Sequence, residues 1–220
     1  MSGSDRKVVV WDLPVRLFHW AIVLLVASAY VTWQLNWMNW HVRAGYALMA
    51  AVLFRILWGF FGSDTARFSR FVAAPRAAVS HLAQALRREP DRQVGHNPAG
   101  GWMVLLFLLL LLAESLTGLY VNNDVADEGP FTELAPASVA NAISALHEIL
   151  WDALLAAIVL HVVAIIAYAA VKRHNLVRPM ITGRKSLPVA VPAPRMTGWL
   201  RALILLGGSA LAAAALAHFL

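Results

Sequence analysis

Cysteine is missing from all 220 residues. Its absence excludes disulfides, thiolate-held clusters and any cofactor tethered through a C-x-x-C-H thioether, so a redox group here has to hang on histidine. Charge is scarce as well. Only 14% of residues are charged and 60% are hydrophobic, against about 25% and about 45–50% in a soluble domain. A membrane is the natural solvent for such a chain. No glycine-rich nucleotide fingerprint occurs, which favours a relay over a dehydrogenase. There is no internal repeat, and no small-residue cleavage site follows an apolar stretch of signal-peptide length, so the first stretch reads as an uncleaved span.

What is present is hydrocarbon-matched length. A membrane-spanning helix needs roughly 20 apolar residues, and five stretches supply them, at about 16–37, 41–61, 101–122, 146–171 and 198–219. The net charge of +6 does not point to nucleic acid, because its distribution follows topology. Arg67, Arg70, Arg76, Arg87, Arg88 and Arg92 lie between stretches two and three, and Lys172, Arg173, Arg178, Arg184, Lys185 and Arg195 between four and five. By the positive-inside rule both loops are cytoplasmic. Residues 122–145 carry Asp124, Asp127, Glu128 and Glu133 without a Lys or Arg, and the first short loop has only Arg43. The expected orientation is N-terminus inside, on the cytoplasmic face, and C-terminus outside.

Smaller signals fill in the organisation. Val79, Leu82, Ala83 and Leu86 repeat at helical spacing in the long basic loop, a pattern for a short amphipathic helix on the membrane surface or a solvated connector. Gly95-His96-Asn97-Pro98 is turn chemistry, and Pro188, Pro192 and Pro194 mark an extended linker. Trp33, Trp37 and Trp40 at one end of the first span, with Trp11 and Trp20 at the other, form an aromatic belt.

Four of the eight histidines, His19, His41, His147 and His161, lie within or at the ends of apolar stretches, where ionisable groups are functional candidates. His147 and His161 are 14 residues apart, which on one helix is about 21 Å of rise and about 40° of azimuth. One helix thus presents two imidazoles on one face, one near each leaflet, and two stacked haems use that arrangement. Topology supplies the partners: His19 with His161 on the cytoplasmic side, His41 with His147 on the periplasmic side. Bis-histidine ligation leaves no open iron position and suits electron conduction across the bilayer. A structural histidine bonded to a neighbouring helix is the bland alternative for any one of them. His81, His96, His174 and His218 read as surface or interfacial groups.

Arg16, one turn before His19, and Arg43, two residues after His41, sit near the expected haem edges, where a guanidinium pairs with propionates or snorkels to head groups. Arg55, deep in the second stretch, needs an anionic or carbonyl partner; an inner-haem propionate and snorkelling both satisfy that. Gly45 and Gly118 allow close approach of a flat macrocycle or of another helix. Glu114 and Thr117 supply a carboxyl and a hydroxyl one turn apart, for a quinol proton path or for bundle packing.

The run Arg16-Leu17-Phe18-His19-Trp20, then His41-Val42-Arg43-Ala44-Gly45-Tyr46, Phe54-Arg55 to Gly62, Gly95-His96-Asn97-Pro98 and the His147 to His161 spacing resemble the bacterial di-haem cytochrome b561-like family, which includes the b-type subunits of nickel–iron hydrogenases. The resemblance covers about residues 9–185, and its specific part is the 14-residue histidine spacing combined with one histidine in each of the first two spans. It implies two b haems in a four-helix core, exchange of electrons with membrane quinone or quinol, and a periplasmic redox partner such as a c-type cytochrome or a hydrogenase.

The expectation is an all-α membrane protein, a four-helix transmembrane haem-binding bundle over residues 1–185, followed at 186–220 by a linker and a fifth transmembrane helix that packs on another helix or subunit. Its expected role is an electron-transfer subunit with quinone as substrate, and so in the wider sense a quinone oxidoreductase. Two other readings stay open: the family's superoxide oxidase activity, passing electrons from periplasmic superoxide to quinone, and a membrane anchor whose haems stabilise assembly. The first needs a basic funnel outside, where only Arg43 is available.

Overall fold

A computed structural model describes residues 5–84, 93–122 and 129–218. Five long helices carry most of it: α1 (Leu13–Gln34), α2 (Met38–Phe61), α5 (Pro98–Thr117), α6 (Ala137–Ala167) and α8 (Trp199–His218). Shorter pieces are β1 (Asp5–Val9), α3 (Phe68–Phe71), α4 (Pro75–Ala83), α7 (Val177–Thr182) and β2 (Arg184–Pro188). With the single-turn extensions Gly118–Tyr120 and Tyr168–Lys172, all five long helices are long and apolar enough to cross a membrane. The fourth span begins at Ala137, well before the expected residue 146, because the polar opening turns of α6 still propagate as helix.

Local chemistry sets the helix ends. Asp12 caps α1, its Oδ1 accepting from the Val15 amide at 2.8 Å. Asn36, at φ 55°, closes α1 in left-handed conformation; the Trp37 amide donates to Thr32 O and the Asn36 amide to Trp33 O, so the last carbonyls are satisfied. Asn97 caps α5 by accepting from the Gly100 amide at 2.7 Å, with Pro98 as the first helical residue. α6 passes into a π-helical turn, Tyr168–Lys172, and Arg173 at φ 59° ends it.

The chain forms two compact units. The first comprises the chain up to Leu17, Leu57–Leu106 and Ile158–Ala202; the second comprises Phe18–Ile56, Phe107–Ala157 and the chain from Leu203 onward.

In the first unit β1 pairs antiparallel with β2, Lys7 opposite Ser186. No strand was expected here, and the anticipated boundary between residues 185 and 186 falls inside β2. Val8 and Leu187 point the alternate way to the exposed positions and bury themselves with Val10, which is why two short strands hold together. Gly183, at φ +76°, makes the turn into β2, and a Cβ there would lie 2.8 Å from Trp11 O. The proline-rich linker docks on the end of α2: Arg195 and Asp64 exchange two bonds, the Thr197 amide donates to Ser63 Oγ, and Arg201 donates to Phe61 O. α4 covers Val79, Leu82 and Ala83 of the expected amphipathic helix; Val79 and Leu82 are exposed and Ala78 packs inward. Leu86, Arg87, Arg88 and Arg92 lie outside the described residues, as do Asp124, Asp127 and Glu128.

In the second unit the buried residues include Met49, Val52, Leu154 and Ala157, and Ser209 and Ala213 of α8. Outward faces stay apolar: Leu24 is 68% exposed, Ile149 63% and Leu211 73%. Surfaces so rich in exposed aliphatic side chains belong in lipid.

Candidate functional site

The second unit encloses a cavity of about 650 Å³, well inside the size range of cofactor pockets. His41 from the first turn of α2 and His147 from α6 both line it, with Tyr30, Trp33, Gly45, Met49, Glu114, Gly118 and Trp151. The walls are mostly aromatic and aliphatic, with the carboxyl side chains Glu114, Glu148 and Asp152 also in the lining, and Tyr30 stacks on Trp151 with ring centres 5.3 Å apart and planes 12° apart.

Hydrogen bonds determine which nitrogen each imidazole offers. His41 Nδ1 lies 2.9 Å from Ala29 O of α1. A carbonyl only accepts, so Nδ1 carries the proton and Nε2 keeps its lone pair. His147 Nδ1 lies 3.0 Å from Thr117 Oγ1. That hydroxyl sits 2.8 Å from Ala113 O and 3.1 Å from Glu114 O, so its single proton goes to backbone and its oxygen accepts from the ring. His147 therefore also keeps Nε2 as a donor to metal. Glu114 Oε1 is 3.5 Å from that nitrogen, too long for a good bond, and Glu114 Oε2 is buried without a hydrogen-bond partner among the described residues.

With the Glu114 carboxyl beside the His147 nitrogen, two imidazoles with unprotonated Nε2 in one largely apolar cavity fit a haem iron. Glycine supplies clearance for it. A Cβ on Gly45 would meet nothing within 4 Å, and one on Gly118 would press on His147 Cε1 at 3.2 Å.

Other expected residues fall elsewhere. His19, half-buried on α1 in the second unit, meets Trp20 edge-on at 5.0 Å; His161, half-buried on α6, belongs to the first unit. Arg16 donates to Ile181 O in the last turn of α7, and its Nε is buried without a hydrogen-bond partner among the described residues. Arg43 is exposed and lies over the Trp40 ring at 4.9 Å. Arg55 is 2% exposed and belongs to the second unit.

Two histidines read as surface or interfacial groups are half-buried in the first unit. His81 Nε2 lies 2.6 Å from the Tyr168 hydroxyl, which also accepts from Asn97 Nδ2 at 3.1 Å, and the Lys172 ammonium stands over the Tyr168 ring. His96 is held between Trp11 and Phe71, each 4.6 Å away. Nothing in the sequence singled out Tyr168, because its role depends on a π turn that rotates it towards residues some seventy and ninety positions earlier.

Residues 10–183 match the family described as prokaryotic cytochrome b561. The chain belongs to that family. Cytochrome b561 members of this kind are all-helical membrane bundles carrying b-type haem for electron transfer, and this chain is a multi-pass membrane protein of that kind. It is similar to the probable Ni/Fe-hydrogenase B-type cytochrome subunit of Rhizobium leguminosarum bv. viciae, at 24% identity over 82% of this chain and 89% of the relative. The same-named protein of Cupriavidus necator is 24% identical over 84% and 90%, and that of Bradyrhizobium diazoefficiens 26% over 81% and 85%. No solved structure matches significantly.

Proposed function

We propose that this cytochrome b561 carries two b haems, each held by two histidines, and relays electrons between membrane quinone or quinol and a periplasmic redox protein. The observation that carries the reading is the convergence of His41 and His147 on one cavity, each with Nδ1 tied up and Nε2 presented. A b haem, when bound, takes up and releases one electron. His41 and His147 would hold its iron through their Nε2 atoms, and two imidazole ligands would favour outer-sphere electron transfer over binding of a further ligand. The second pair, His19 with His161, rests on the sequence register alone.

The relatives are named as hydrogenase cytochrome subunits, which supports a hydrogenase as the periplasmic partner, with a c-type cytochrome as the other candidate of matching chemistry. The clustering of Lys and Arg in two loops supports a cytoplasmic N-terminus and a periplasmic C-terminus, and membership of a prokaryotic family supports the bacterial inner membrane. Of the three arginines proposed to pair with propionates, Arg43 and Arg55 lie in the same unit as the cavity. Arg16 already serves a backbone carbonyl.

The full chain purified in detergent should contain two haems b, and His147→Ala and His161→Ala should each retain one. A quinol analogue should reduce the wild type. Absence of haem, or unchanged stoichiometry in both variants, overturns the ligand assignment. Haem that dithionite reduces and quinol does not overturns the quinone link while leaving the ligands intact.

A further inference from the structure

His147 is held by an arrangement more specific than ligation alone requires. Thr117 Oγ1 lies 3.0 Å from its Nδ1, and the hydroxyl proton is committed to the α5 backbone, 2.8 Å from Ala113 O and 3.1 Å from Glu114 O. The back-bond fixes the direction of the oxygen lone pairs, so the hydroxyl is a fixed acceptor and not a rotor. Gly118, the next residue, lets the ring lie against α5, since a Cβ there would stand 3.2 Å from Cε1. The two contacts set both the position of the imidazole and its tautomer.

We propose that Thr117 is a positioning residue for His147, and that its hydroxyl, by accepting the Nδ1 proton's hydrogen bond, keeps Nε2 directed at the iron and lowers the reduction potential of that haem. The inference rests on the ligand role given to His147 above. An imidazole that donates from Nδ1 gains electron density at Nε2, becomes the more basic ligand, and stabilises ferric over ferrous iron. His41 has a different anchor. Its Nδ1 bonds the Ala29 carbonyl, which also receives the Thr32 hydroxyl at 3.1 Å and which no side-chain substitution removes. Thr117 is thus the adjustable half of the pair.

The test uses the full holoprotein in detergent with Thr117→Val, which keeps the shape and removes the acceptor, and Thr117→Ser, which restores it. Haem per chain, an equilibrium redox titration resolving two one-electron steps, and the low-spin EPR spectrum of the oxidised protein are read together. Thr117→Val is expected to keep two haems, move one step to higher potential with a shifted EPR signal, and leave the other step in place; Thr117→Ser should return both to wild-type values. Loss of one haem in Thr117→Val with full recovery in Thr117→Ser also supports the role. Unchanged potentials in Thr117→Val, an equal shift of both steps, or haem loss in both variants overturns it. If His147→Ala retains two haems, the ligand assignment fails instead, and that outcome is read independently of the Thr117 series.

Discussion

Asp12 serves two groups at once: Oδ1 accepts from the Val15 amide that opens α1, and Oδ2 accepts from Trp58 Nε1 at 3.0 Å, both buried. Asp12→Ala should lose the cap, about 1 kcal/mol, and strand an indole N–H, about 1–3 kcal/mol. Asp12→Asn should keep the cap through Oδ1 and lose the indole acceptor, so its thermal midpoint in detergent should fall between those of Asp12→Ala and the wild type. Gly118→Val is a sharper probe of the cavity. With the first carbon already at 3.2 Å from His147 Cε1, two further methyl groups have to displace the ring, and one haem per chain should be lost, as measured by the pyridine haemochrome. The four histidines proposed as ligands stand out in the sequence by position in apolar stretches and by helical spacing. Their tautomers do not, since Ala29, Thr117 and Ala113 lie 12, 30 and 34 residues from the rings or along another helix face.

The long helices were legible as elements because each satisfies its own backbone and needs only length and apolar composition to span lipid. Their ends depend on single side chains. Asn97 both caps α5 and donates to Tyr168. Asn97→Ala should therefore lower stability by about 1–2 kcal/mol, a cap plus part of a hydrogen bond. Asn97→Asp, which keeps only the cap, should recover about half of the midpoint loss in thermal unfolding. β1 and β2 were not legible at all. Each is five residues long, too short for a period-two pattern to stand out, and each has value only against the other. Because the natural chain lacks cysteine, Lys7→Cys with Ser186→Cys gives a clean test. The two are directly opposite and exposed, within disulfide reach, and mild oxidation should link them, whereas Lys7→Cys with Thr182→Cys should not link.

At the scale of the whole molecule the governing fact is the solvent. Exposed aliphatic faces on α1, α6 and α8 are compatible with hydrocarbon and with nothing wetter. The proposed orientation is checked in intact cells with single cysteines and a membrane-impermeant maleimide. Glu133→Cys should label from outside and Ser186→Cys only after permeabilisation; the reverse pattern would invert the topology and exchange the sides assigned to the two histidine pairs. The proposed electron flow to a hydrogenase or c-type cytochrome belongs to this scale too, since a partner outside the membrane would reach only the haem proposed for its own side.

By itself the sequence determined that the protein is helical, lives in a membrane, and offers a cofactor no thiolate, because composition, span length and the absence of cysteine act locally and without reference to the rest of the chain. The tertiary structure alone decided that His41 and His147 share one cavity, that each presents Nε2, that Arg16 is spent on Ile181, and that His81 and His96 are held inside a network. Those outcomes depend on a carbonyl, a hydroxyl and two aromatic rings brought from distant helices and turns, and a hydrogen bond has a direction only once both partners have been placed.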